Sequence, residues 1–135
     1  MINFKSNYLP SIREHINQCS QELEELHTII IKGDWSQPEY RAAERLLQIL
    51  IESLIGVGKQ WLKSMDQLPI NDAYQTMEKL CVLNKIPPKM LGDIKKMIGL
   101  RNAIVHDYLN INRDIIKDVV KNKHYLLINK IINLI

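Results

Sequence analysis

Apolar side chains recur at spacings of three and four along almost the whole chain, and this period limits the fold more than any other feature. Leu9, Ile12, Ile16, Cys19, Leu23, Leu26 and Ile30 form one stripe; Ala43, Leu46, Leu47, Leu50, Leu54, Val57 and Trp61 form a second. Side chains spaced this way fall on one face of an α-helix, so each stripe predicts an amphipathic helix rather than a strand. Composition agrees. The 135 residues include 21 Ile and 17 Leu but only 5 Gly and 5 Pro. That suits helices joined by short turns, and it excludes a turn-rich β-sandwich or a disordered chain.

Stripes and punctuation together predict five helices. The first runs from about Ser11 to Lys32. Ser11-Ile12-Arg13-Glu14 reads as a capping box at its start, and Gly33 and Asp34 stop it. Pro38, in a first turn, opens the second helix, which ends before Pro69. A third, short helix starts near Asn71, turns Tyr74, Met77, Leu80 and Cys81 inward and ends at Asn84, ahead of Pro87-Pro88. The fourth starts at Pro87 or Pro88 and carries Met90, Leu91, Ile94, Met97, Ile98 and Leu100. The fifth begins near Asn112 and runs to the end, showing Ile115, Ile116, Val119, Val120, Leu126, Leu127, Ile131 and Leu134. The expected fold is therefore all-α: an up-and-down helical bundle of four long helices plus one short helix, a single domain over residues 1–135. Ile49, Leu50, Ile51, Leu54 and Ile55 cover more than one face of the second helix. An apolar face left over once the core has closed suits a homodimer.

The apolar residues do not suit a membrane. No stretch reaches 18 apolar residues, and the longest candidate, Ile49 to Gly58, is interrupted by Glu52 and Ser53. Met1-Ile2-Asn3-Phe4 lacks the start of a signal peptide. Cys19 and Cys81 have no metal-type spacing and are too few for a disulfide framework. A cytoplasmic protein is expected. The net charge of +3 is unevenly spread, with −2 on residues 1–67 (7 Lys/Arg, 9 Asp/Glu) and +5 on residues 68–135 (11 Lys/Arg, 6 Asp/Glu). A basic second half is compatible with an anionic partner such as nucleic acid, and also with a plain solvated lysine face.

Chemically able residues crowd together at one place: Arg101-Asn102-Ala103-Ile104-Val105-His106-Asp107-Tyr108. Arg is a permanent planar cation that forks onto phosphate. His gives or takes a proton near neutral pH. Tyr offers a phenol that can hydrogen-bond, stack on a base or be modified. RNA cleavage without a metal needs this kind of set: one group to move the 2′-hydroxyl proton, another to hold charge on the phosphorane. The spacing carries a constraint. Five residues separate Arg101 from His106, which leaves them about 140° apart around a straight helix. Either the helix distorts around Val105 to Asp107, or the working set combines two chains. Asp107 and Asn110 suit a helix end followed by a turn.

This segment resembles the signature of HEPN ribonuclease domains: Arg, a polar residue, three further residues, then His. The longer form R-x4-H-x-Y, present as Arg101, His106 and Tyr108, resembles the HepT toxin branch. Lys95-Lys96-Met97-Ile98-Gly99-Leu100 before the Arg, and Asp107 between His and Tyr, match as well. Glu52 resembles an acidic position on the family's second helix, whereas Gly56 stands where a further acidic residue is expected. The resemblance spans nearly the whole chain. It implies a HEPN-like toxin endoribonuclease that needs no metal or cofactor and works at a cleft shared by two copies. It implies His106 as general acid or base, Arg101 on the scissile phosphate, and Asn102 orienting one of them. The implied partners are RNA and a nucleotidyltransferase antitoxin of the MNT type, in a complex that can exceed the dimer. That antitoxin would transfer AMP to Tyr108. The alternative is a non-catalytic, nucleotide-binding helical partner that regulates a nucleotidyltransferase.

Taken singly, these residues have plainer explanations. Arg101 could pair with Glu52 across the bundle. His106 could sit at a helix end beside free carbonyls, and Tyr108 could be a half-buried aromatic. Only their joint spacing favours chemistry. His15, His27 and His124 lack partners at ligand spacing and read as surface or rim residues. Cys19 and Cys81 read as packing residues, and Trp35 and Trp61 as core or interface anchors. Gly99, inside the fourth helix, reads as a place where another helix approaches closely.

Overall fold

The computed structural model describes residues 8–33, 35–107 and 110–135. Among them, all regular structure is α-helical: α1 (Tyr8–Lys32), α2 (Gln37–Ser64), α3 (Ala73–Val82), α4 (Pro88–His106), α5 (Arg113–Lys121) and α6 (Leu126–Ile132). The apolar stripes face inward and merge into one core. Ile16 and Leu23 of α1, Leu47, Leu50 and Leu54 of α2, Met77 and Leu80 of α3, and Ile94 and Ile98 of α4 are all fully enclosed. The long α2 lies at the centre and touches each of the other five helices. Trp35 and Trp61 are buried, as their reading as anchors required. His15 and His124 are exposed, and His27 lies at the rim, where its Nε2 donates to the Lys121 carbonyl at 3.1 Å. No helix among the described residues is long and apolar enough to cross a membrane.

Helix ends explain where the connections fall. A capping box does form, but not at Ser11, which lies inside α1. Pro10 is tolerated there because a first-turn residue has no helical acceptor to lose. The box forms at α2. The Ser36 Oγ accepts from the Glu39 amide at 3.3 Å, and the Glu39 carboxylate accepts from the Ser36 amide at 2.6 Å. At the other ends, Asp66, Asn84 and Lys123 adopt left-handed backbone with φ of 56°, 60° and 54°. In each case the following amide reaches back to the helix: Gln67 to Leu62, Lys85 to Leu80 and His124 to Val119.

The left-handed turn at Lys123 corrects one expectation. The predicted fifth helix is two helices, α5 and α6, separated by Asn122–Tyr125. Neither Gly nor Pro marks the break. It is held by α1. Glu24 accepts from Lys123 Nζ at 2.8 Å and from the Tyr125 hydroxyl at 2.5 Å. These two bonds, Lys123 foremost, hold the Glu24 carboxyl below its usual range. Tyr125 is completely buried. The break also shifts the register. Ile116, Val119 and Val120 are buried before it, and Ile128, Ile131 and Ile132 after it, whereas Ile115 and Leu134, placed on the inward stripe by their spacing, are exposed.

Two glycines give opposite expectations. A Cβ on Gly58 would lie 2.9 Å from Met77 Cε, 3.2 Å from Thr76 Cγ2 and 3.3 Å from Leu80 Cδ1, where α2 meets α3. A Cβ on Gly92, on the exposed face of α4, would meet nothing within 4 Å. Gly92→Ala should gain about 1 kcal/mol from helix propensity. Gly58→Ala has the same propensity gain but must push the Met77 methyl aside and crowd the buried Thr76 and Leu80, which costs about 1–3 kcal/mol. Chemical denaturation should show the midpoint rising for Gly92→Ala and falling for Gly58→Ala. Gly99 does not mark a close approach of the Gly58 kind, because its Cβ would sit at an ordinary 3.5 Å from the Tyr74 hydroxyl.

Candidate active site on helix α4

Arg101 to His106 of the polar segment form the last turn and a half of α4. The helix stays regular through His106, and the chain leaves it at Asp107, with φ −140° and ψ 35°. The Asp107 amide donates to Ala103 at 2.8 Å. The turn that follows closes as its residue types predicted: Asn110 Nδ2 donates to Asp107 Oδ1 at 2.7 Å, and its amide donates to the Asp107 carbonyl at 3.0 Å. No distortion precedes His106, so Arg101 and His106 remain about 140° apart around the axis.

Their surroundings differ accordingly. Ile94, Met97, Ile98 and Ile104 are the buried residues of α4, and Arg101 falls at the register where the next core side chain belongs. Its guanidinium is half-buried. Nε is enclosed and has no hydrogen-bond partner, and no ion pair among the described residues includes Arg101. The pairing with Glu52 does not form. Glu52 is exposed on α2 and accepts from Gln48 Nε2 at 3.2 Å. A cation this far into an apolar face, with its donors unspent, suits a phosphate brought from outside the chain. His106 lies exposed at the C-terminal end of the same helix, beside Val105, which is 38 % exposed.

Asn102 is half-buried, and its Nδ2 donates to the Tyr74 hydroxyl of α3 at 3.5 Å. Tyr74 was read in the sequence only as a packing residue. Nothing in the linear pattern brings it to the motif, which follows 28 residues later. Tyr108 lies outside the described residues. A groove of about 700 Å³ opens elsewhere, between α4 and the α5–α6 pair, floored by Met97, Leu100, Ile115 and Leu127. None of Arg101, Asn102 and His106 lines it. Among the described residues no three His, Cys, Asp or Glu side chains gather where they could hold a metal ion.

Comparison with known proteins gives the family. Residues 12–134 match the family model of the HepT-like ribonucleases. The chain belongs to the HepT-like ribonuclease family. Among its relatives is the mRNA nuclease HepT of Shewanella oneidensis, 29% identical over 113 residues that cover 79% of this chain and 80% of that one. The tri-AMPylated Shewanella oneidensis HEPN toxin, solved in complex with an MNT antitoxin, has the same fold. Its TM-score is 0.85, with 21% identity, 96% of this chain and 97% of that one. A cytosolic Bacillus subtilis protein of unknown function, YutE, shares the fold at a TM-score of 0.69, with 17% identity, 90% of this chain and 86% of that one. The all-α bundle expected from the stripes is therefore the HepT-like fold, and Arg101 and His106 both stand on its α4.

Proposed function

We propose that this HepT-like ribonuclease is the toxin of a toxin–antitoxin pair, a cytoplasmic endoribonuclease that cuts RNA without a metal. One observation carries the reading: Arg101 occupies a core register of α4 with its enclosed Nε unbonded and no ion pair among the described residues, on the helix that ends in an exposed His106. A half-buried cation with no internal counter-ion serves stability poorly, because its desolvation goes uncompensated. It serves phosphate binding well. Arg101 would fork onto the scissile phosphate and stabilise the charge that develops there. His106 would take the proton of the 2′-hydroxyl or give one to the leaving 5′-oxygen. Asn102 acts as a supporting polar group.

Because α4 is regular through His106, one chain does not aim both side chains at a single atom. A two-fold homodimer solves this by setting Arg101 of one copy beside His106 of the other. A tri-AMPylated toxin of the same fold, solved with an MNT antitoxin, supports silencing by AMP transfer from such a partner; the acceptor we assign in this chain is Tyr108. This chain's charge supports an RNA partner, since residues 68–135 carry a surplus of five positive charges.

The test is direct. Purified protein incubated with total cellular RNA should cleave it equally well with and without EDTA, and leave 2′,3′-cyclic phosphate and 5′-hydroxyl ends. End-group analysis by mass spectrometry reads both. Activity that disappears with EDTA and returns with magnesium, or products bearing 5′-phosphates, would overturn the mechanism. A protein that binds the transferase and leaves RNA intact would instead be a non-catalytic regulator.

A further inference from the structure

We infer that Tyr74 of α3 is a positioning residue for His106, acting through Asn102; this rests on the nuclease reading above. Gly99, Asn102 and His106 lie within about 60° of one another around α4. They form a face distinct from the one Arg101 occupies. Side chains on a helix lean toward its N-terminus, over the preceding turn. By this tendency His106 would overlie Asn102, and Asn102 would overlie Gly99. At Gly99 the missing side chain leaves room. The Tyr74 hydroxyl sits there, 3.5 Å from where a Cβ would be, and accepts from Asn102 Nδ2 at 3.5 Å. A side chain longer than alanine at Gly99 would take the hydroxyl's place.

Tyr74 is itself fixed. Its ring packs half-buried against the core, and its amide donates to Asp72 Oδ1 at 3.2 Å, in the cap that starts α3. Thr76, two residues on, is buried and donates through Oγ1 to the Asp72 carbonyl at 2.8 Å. A rigid phenol thus holds one end of a carboxamide whose other end, Oδ1, has no partner among the described residues. That oxygen is available to an imidazole N–H one turn further on. Anchoring Asn102 restricts the imidazole to one orientation, so the effect falls on turnover rather than on RNA affinity.

Tyr74→Phe keeps the packing ring and removes only the hydroxyl. With a fluorophore–quencher single-stranded RNA as probe, kcat should fall about two- to tenfold while KM stays unchanged and the thermal midpoint drops by no more than a few degrees, the stability worth of one long hydrogen bond. Asn102→Ala should cost at least as much, and the double variant no more than Asn102→Ala alone. Parental kcat in Tyr74→Phe, a change confined to KM, or costs that multiply in the double variant would overturn the assignment. A second readout is independent of cleavage. In NMR spectra of the intact protein, Tyr74→Phe should shift the Asn102 carboxamide and His106 ring resonances. If both stay in place, Tyr74 does not position them, whether or not the parent cuts RNA. If they move in a parent that leaves the probe intact, the nuclease reading fails and the positioning contact stands.

Discussion

His106→Ala should reduce RNA cleavage by about 10²–10⁴-fold, the usual worth of a general acid or base. Arg101→Ala should reduce it by about 10²–10³-fold, as loss of a group that stabilises transition-state charge does. Neither change should lower stability. His106 is an exposed helix-terminal residue, and removing Arg101 relieves a buried Nε that has no partner. Thermal midpoints at or above that of the parent would separate lost chemistry from lost fold. Mixing the two inactive variants tests the arrangement of the cleft. If Arg101 of one copy works with His106 of the other, the mixed dimer has one site with both groups intact and one with neither. Half the dimers in an equal mixture are mixed, so about a quarter of the parental rate should return. No recovery after exchange of subunits would mean that each chain supplies both groups to its own site.

Tyr108→Phe should remain toxic when co-expressed with the cognate nucleotidyltransferase, whereas the parent is neutralised. Tyr108 stands two residues beyond His106 in the sequence. A transferred AMP would add bulk and a negative phosphodiester two residues from His106 in the sequence. Repulsion of RNA and competition for Arg101 then act in the same direction. Growth of co-expressing cells reads the outcome, and intact mass shows whether AMP was added. Equal neutralisation of the Phe variant, or added mass at another residue, would leave complex formation as the means of control.

The bundle was largely legible in the sequence because its stripes are local. Spacings of three and four in residues 12–30 and 43–61 identify α1 and α2 without reference to anything else in the chain. Pro87-Pro88 separates α3 from α4, because a proline in mid-helix cannot donate its amide. The Arg101–His106 segment could be found for the same reason: its chemistry is written in consecutive residues on one helix. The start of α1 and the break between α5 and α6 were not legible. A capping box at Ser11 and another at Ser36 look equally good locally, and only the second stands at a helix start. Lys123 is a poor residue for left-handed backbone, and it takes that conformation because Glu24, 99 residues earlier, binds its ammonium and the Tyr125 hydroxyl together.

The sequence by itself thus determined most of the helical segments, which faces are apolar and which short segment gathers chemically able side chains. These follow from backbone period, missing amide donors and residue chemistry, all of which act within a few residues. The tertiary structure alone decided that Arg101 enters the core side of α4 with no ion pair among the described residues, that Glu52 does not neutralise it, and that Tyr74 meets Asn102 over Gly99. Each depends on how helices far apart in the chain pack, and packing is set by the summed shape of a whole core, which no local pattern encodes.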